Sequence, residues 1–162
     1  MKKINVTYIC AEAEEYPGCA DLLYSYCELN VIALQSSLVD AGTAKALARS
    51  DVLLIDESVL LRDGLQQVRS VHVRFPQLNI LMVYINSPNN NMMEYISIGI
   101  RGLLERKSRI SLLRRAIPAL YAGEIWMPRG LVHSLRNQSN INVGSSSWAF
   151  ISPVMFDRRK IN

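Results

Sequence analysis

DVLLIDESVLLRDGL, residues 51–65, is the stretch whose reading decides the fold. Residues 52–56 form a run that is apolar until it ends in the carboxylate of Asp56, and a short polar loop leads on to Asp63 and Gly64. A strand buried on both faces of a parallel sheet has this composition, and in open α/β sheets the reactive groups stand just beyond the carboxyl ends of the strands. Asp56 is therefore the first candidate for chemistry. The plainer alternative is a strand-end aspartate that caps the following helix.

On either side of this stretch the chain alternates. Residues 4–10 read as a first strand, followed by an acidic loop and, from Pro17, a helix to about Glu28. Residues 31–34 form a short second strand, and Leu38, Ala41 and Leu47 fall on one face of a second helix. After the central strand, Leu61, Leu65, Val68 and Phe75 keep the rhythm of one amphipathic helix that stops at Pro76. Residues 79–85 are a fourth strand, 92–98 a short helix ended by Gly99, and 102–104 a fifth strand. A helix over residues 108–122 follows, with Ile110, Leu113, Ile117 and Leu120 on its inner face. Pro118 lies inside that helix, where it removes the hydrogen bond to Arg114. Five βα units with right-handed crossovers predict a flavodoxin-like α/β sheet of strand order 2-1-3-4-5. Pro128 suits the first position of a sixth helix reaching about Arg136. The expected division is thus a domain over 1–123, a linker helix over 124–137 and a tail without regular structure over 138–162, against which Trp148, Phe150 and Phe156 could dock.

Composition narrows the classes. With 162 residues, 49% hydrophobic and 20% charged, the chain is long enough for one well-buried domain with an appendage. Cys10, Cys19 and Cys27 form no C-x-x-C pair and no even set, which argues against a disulfide framework or a zinc site and for free thiols in a reducing cytoplasm. The run after Lys2 and Lys3 is shorter than a signal peptide requires, and no stretch is long enough to cross a bilayer. Basic and acidic side chains number four and six in residues 1–50, three and five in 51–100, and eleven and three in 101–162. An acidic front could hold a divalent cation, and a basic end could meet nucleic acid, a nucleotide or an acidic partner.

Asp56 followed by Asp63-Gly64-Leu65 resembles the phosphoacceptor loop of receiver domains in two-component response regulators. Residues 99–129, GIRGLLERKSRISLLRRAIPALYAGEIWMPR, are similar to the final strand, last helix and linker of LuxR-type (NarL-like) members. The resemblance spans residues 3–136. It implies a cytoplasmic signalling module, not an enzyme, in which Asp56 accepts phosphate from a histidine kinase or a small acyl phosphate. An acidic pair after the first strand would hold Mg²⁺ together with Asp56; Ala11 and Glu12 occupy those positions, so Glu12 is left to bind weakly, with Glu14 and Glu15 nearby. The switch positions fall on Tyr84, where a small hydroxyl is usual, and on Arg106, where lysine is usual and Lys107 is the neighbour. The proline usual in the loop is replaced by Leu60. These departures leave two readings open, a working receiver with relaxed ligands and a degenerate one that does not depend on phosphorylation.

The same resemblance implies a homodimer, or a heterodimer with related regulators, and Arg101, Arg106, Lys107, Arg109, Arg114 and Arg115 cluster where family members pair. The family's helix-turn-helix is not legible in the 26 residues after Arg136, so direct DNA binding is not expected. Trp126-Met127-Pro128-Arg129 is similar to a motif by which some relatives bind cyclic di-GMP, with Trp126 stacking on guanine and Arg129 on phosphate. A packing role for the tryptophan is the alternative. A small flavodoxin-like nucleotide binder stays open as a different class, although no glycine-rich phosphate loop follows the first strand. His72 and His133 have no Ser or Cys at triad spacing, and neither is assigned a role.

Overall fold

The computed structural model describes residues 2–11, 19–85, 91–108, 110–129, 132 and 148–151. Seven strands form a single sheet in the order β2-β1-β3-β4-β5-β6-β7. They are β1 (Ile4–Ile9), β2 (Leu29–Gln35), β3 (Val52–Asp56), β4 (Asn79–Tyr84), β5 (Ile100–Glu105), β6 (Ile125–Pro128) and β7 (Trp148–Ile151). The first six run parallel, and β7 pairs antiparallel with β6. The expected order 2-1-3-4-5 is what the first five strands adopt. Helices α1 (Cys19–Ser25), α2 (Ala41–Leu47), α3 (Glu57–Asp63), α4 (Leu65–Arg74), α5 (Met92–Ser97) and α6 (Ile110–Tyr121) connect them.

The apolar run of β3 is explained by its place. It lies between β1 and β4, and Val52, Leu53, Leu54 and Ile55 are all fully buried. Alternation along the strand sends Leu53 and Ile55 into a core with Leu47, Val59, Leu60, Val68, Val71, Tyr95 and Ile96, beneath α2 to α5. Val52 and Leu54 face the other core, made with Leu23 of α1 and Leu113, Ala116, Ile117 and Leu120 of α6. Parallel strands covered by helices on both faces have no wet side, so their sequences lose polar alternation.

Between Leu61 and Phe75 the single expected helix is two. Gly64 adopts φ 91°, outside the helical region, and separates α3 from α4. The break resets the helical phase: Val59 and Leu60 are buried, whereas Leu61, expected on the inner face, is 69% exposed. A glycine suits this position because a side chain at positive φ is strained. Pro118 stays inside α6, and the helix continues to Tyr121. Complete burial of Ala116, Ile117 and Leu120 offsets the lost hydrogen bond.

The linker differs from expectation. Pro128 does not open a helix; it ends β6, whose Ile125, Trp126 and Met127 are buried. Arg129 and Val132 are helical, and the rest of the expected sixth helix, His133 included, lies outside the described residues. Within residues 138–162, expected as a tail, Trp148–Ile151 is the edge strand, with Trp126 opposite Phe150 and Pro128 opposite Trp148. Phe156 lies outside the described residues. No described helix is long and apolar enough to cross a membrane.

Candidate functional site

The carboxyl ends of β1, β3, β4 and β5 converge where Asp56 stands. Asp56 is the last residue of β3, opposite Val83 of β4, and is only 4% exposed. It holds the N-cap position of α3 with extended backbone, yet its side chain makes no capping hydrogen bond. Its carboxylate turns to β1 instead. The Tyr8 hydroxyl lies 3.0 Å from Oδ1 and 3.1 Å from Oδ2. A phenol has one proton, so this is one three-centre bond donated to both oxygens. Hydrogen bonds to a charged acceptor contribute about 1.5–3 kcal/mol, and burying a carboxylate without partners would cost more.

The β1–β3 register produces the contact. Tyr8 pairs with Leu54 across the parallel ladder, so the two side chains share a face, and Asp56 is the next residue up that face. The phenol, 2% exposed, reaches the carboxylate across that pleat. Sequence reasoning passed over Tyr8. The signal it could have used is a long polar-tipped residue one pleat short of the aspartate on the neighbouring strand.

Glu57, next after Asp56, ties this site to the end of β4. Its Oε2 accepts the Ile85 backbone N–H at 3.1 Å and its Oε1 accepts the Tyr95 hydroxyl at 3.4 Å. Tyr84 directly precedes Ile85 but faces the core beneath α3 to α5, with Ile80 and Met82, whereas Val83 shares the opposite core with Leu54. Burial, then the nearby Glu105 and Glu57 carboxylates, push its phenol up to about 12. Burial likewise raises Tyr95. Both phenols are neutral donors at ordinary pH.

Arg106 follows β5, half-buried, and its backbone N–H bonds the Tyr84 carbonyl at 2.8 Å, so these two candidate residues are adjacent through the main chain. Lys107 is exposed. Asp63 is placed away from Asp56, at the end of α3. It accepts from Arg62 Nε at 2.7 Å, the Leu38 N–H at 3.0 Å and Ser37 Oγ at 3.2 Å, while Arg62 also donates to the Ser36 carbonyl. The Arg62 hydrogen bond, with those of Leu38 and Ser37, holds the Asp63 carboxyl below its ordinary range against the opposing effect of burial.

Most of the carboxylates implied for the cation fall outside the described residues. Glu12, Glu14 and Glu15 lie outside them, Ala11 brings no carboxylate, and Asp56 has both oxygens against a phenol. Among the described residues no group of three or more His, Cys, Asp and Glu side chains could hold a metal ion. What these residues do not form is a cradle for Mg²⁺.

Trp126 is fully buried in the core with Leu113, Ala116, Ile117 and Leu120. The Arg115 guanidinium lies 6.0 Å from the ring centre. Stacking on a nucleotide base would require the indole to leave this core; Arg129 beside it is half-buried. His72 packs at the end of α4 against Gly99.

No family profile matches the sequence, and no curated protein is similar to it. Solved structures do match. The isolated receiver domain of RcsB from Salmonella enterica serovar Typhimurium, in its apo form, superposes with a TM-score of 0.70 at 20% identity, covering 83% of this chain and 99% of that one. The signal receiver domain of the response regulator NarL from Mycobacterium tuberculosis gives 0.67 at 18% identity, over 76% and 99% of the two chains. The response regulator ChrA of a heme-sensing two-component system gives 0.65 at 18% identity, over 90% and 70%. The chain therefore has the receiver fold, in the form found in NarL- and RcsB-type response regulators.

Proposed function

We propose that the chain is the receiver module of a two-component response regulator, with Asp56 as phosphoacceptor. One observation carries this reading: a buried carboxylate ends the central strand of a receiver fold, at the sheet end where such folds place their chemistry. A histidine kinase or a small acyl phosphate supplies the phosphoryl group, and the output is protein–protein contact, by pairing with a second copy or a related regulator, in transcriptional regulation. The module accepts a group and turns over no substrate. Arg106, adjacent to Tyr84 through the main chain, is the cation nearest in sequence to the end of β5 and takes the part of the phosphate-contacting residue. Intact mass after incubation with acetyl phosphate, with and without Mg²⁺, tests the reading. A gain of one phosphoryl group that disappears in Asp56→Asn supports it, and no gain defeats it.

A second reading is favoured by the same geometry: a degenerate receiver that signals without phosphate. Its support is Ala11 at an acidic position, a phenol on both Asp56 oxygens, and Tyr84 with its ring committed to the core. Under this reading Asp56→Asn leaves partner binding unchanged. The cyclic di-GMP variant of it draws no support from the fully buried Trp126.

A further inference from the structure

We propose that Tyr8 is a positioning residue that latches Asp56, and that its hydroxyl must release the carboxylate before the aspartate can take a phosphoryl group. The inference rests on the receiver reading above and adds the residue that sets how readily the site reacts. In the transfer, a lone pair on one Asp56 oxygen attacks phosphorus of an acyl phosphate. The new bond joins that oxygen to phosphorus, the bond from phosphorus to the acyl oxygen breaks, and the acyl group leaves as a carboxylate with the electron pair. No net proton is taken up or lost at neutral pH.

Tyr8 opposes this in two ways. Its single proton is shared between both carboxylate oxygens, at 3.0 and 3.1 Å, so neither offers a nucleophile undiminished by hydrogen bonding. Its donor also compensates part of the buried charge. The hydroxyl thereby stabilises the unreacted carboxylate. The ring itself is core: Tyr8 is 2% exposed and belongs to the cluster with Val6, Leu54 and Leu81. Only the hydroxyl is in excess of what packing needs, so a variant that keeps the ring separates the two roles.

The test compares wild type, Tyr8→Phe, Asp56→Asn and Tyr8→Phe/Asp56→Asn by intact-mass time courses over a range of acetyl phosphate concentrations with Mg²⁺, native folding being checked by circular dichroism. Tyr8→Met, which fills the space flexibly, stands in if the Phe variant does not fold. The latch predicts that removing the hydroxyl raises the limiting rate of uptake by about tenfold, the equivalent of one hydrogen bond, with little change in half-saturating donor concentration. The double variant takes up nothing. Beryllium fluoride, followed by ¹⁹F NMR, should give a stronger protein-bound signal in Tyr8→Phe than in wild type, a change that loss of packing alone would not produce. Equal or slower uptake in a folded Tyr8→Phe, with wild type reactive, overturns the latch and leaves the receiver reading standing. No uptake in either folded protein overturns the assignment of Asp56 as phosphoacceptor, and the latch with it.

Discussion

The Asp63 carboxylate accepts the backbone N–H of Leu38 at 3.0 Å, joining the end of α3 to the loop between β2 and α2. Ser37 and Arg62 complete its shell. The salient contact is the main-chain one, since an exposed arginine pair adds little. Asp63→Ala should cost about 2 kcal/mol in urea unfolding, by the loss of charged-acceptor hydrogen bonds. The carboxyl is held below its ordinary 3.8, so the folded state binds fewer protons than the unfolded one. Its contribution is complete above pH 3.8 and falls away as pH drops through the lowered folded value. The stability gap between wild type and Asp63→Ala should accordingly narrow on acidification.

Gly99 is intolerant of any side chain. Its φ is 107°, and a Cβ there would collide with the imidazole ring of His72. Strain at positive φ and overpacking together give about 3 kcal/mol for Gly99→Ala. A thermal melt indistinguishable from wild type would contradict the contact.

At high pH the weak point is Tyr84. Its ordinary pKa of 10.0 is pushed up to about 12 in the fold. The unfolded chain ionises first, so the stability that neutral Tyr84 confers is present below pH 10.0 and is lost as pH rises toward about 12. Tyr84→Phe should lose less stability than wild type between those limits, by denaturant titration at each pH.

Glu57 ought to govern how firmly the segment after β4 is held. Glu57→Ala removes the acceptor for the Ile85 N–H. That amide should exchange with deuterium about tenfold faster, the equivalent of one hydrogen bond. Unchanged protection at Ile85 would show that the bond contributes nothing.

Trp126 is a core residue first. Trp126→Ala should cost about 3–5 kcal/mol, the range for deleting a large buried ring. Calorimetric titration of wild type with cyclic di-GMP should give no saturable heat. Saturable binding that Arg129→Ala abolishes would revive the nucleotide reading.

How legible was this protein in its sequence? The parallel sheet was, because Val52 to Ile55 is an unbroken apolar run and only a strand covered on both faces needs one. The break at Gly64 was not. Leu61 and Leu65 are four apart and mimic one helical stripe, and a single backbone torsion cancels the phase between them. β6 was hidden by its brevity: four residues ending in proline look like a helix start until β7 pairs with them from far along the chain. The position of Asp56 was readable from its strand end, but its partner was not. Tyr8 reaches the carboxylate only through the β1–β3 register, and register is a relation between strands that no single stretch contains.

The reversed direction of β7 also sets where the chain goes. Pro128, at the carboxyl end of β6, faces Trp148, and Ile125, at its start, faces Ile151. Asp56 lies at the carboxyl end of the parallel strands, so β7 begins at that level and runs away from it. At Ile151 the chain has reached the opposite rim of the sheet. A reporter protein or surface anchor inserted directly after Ile151 would start from that rim, remote from Asp56, and leave the aspartate clear for probing.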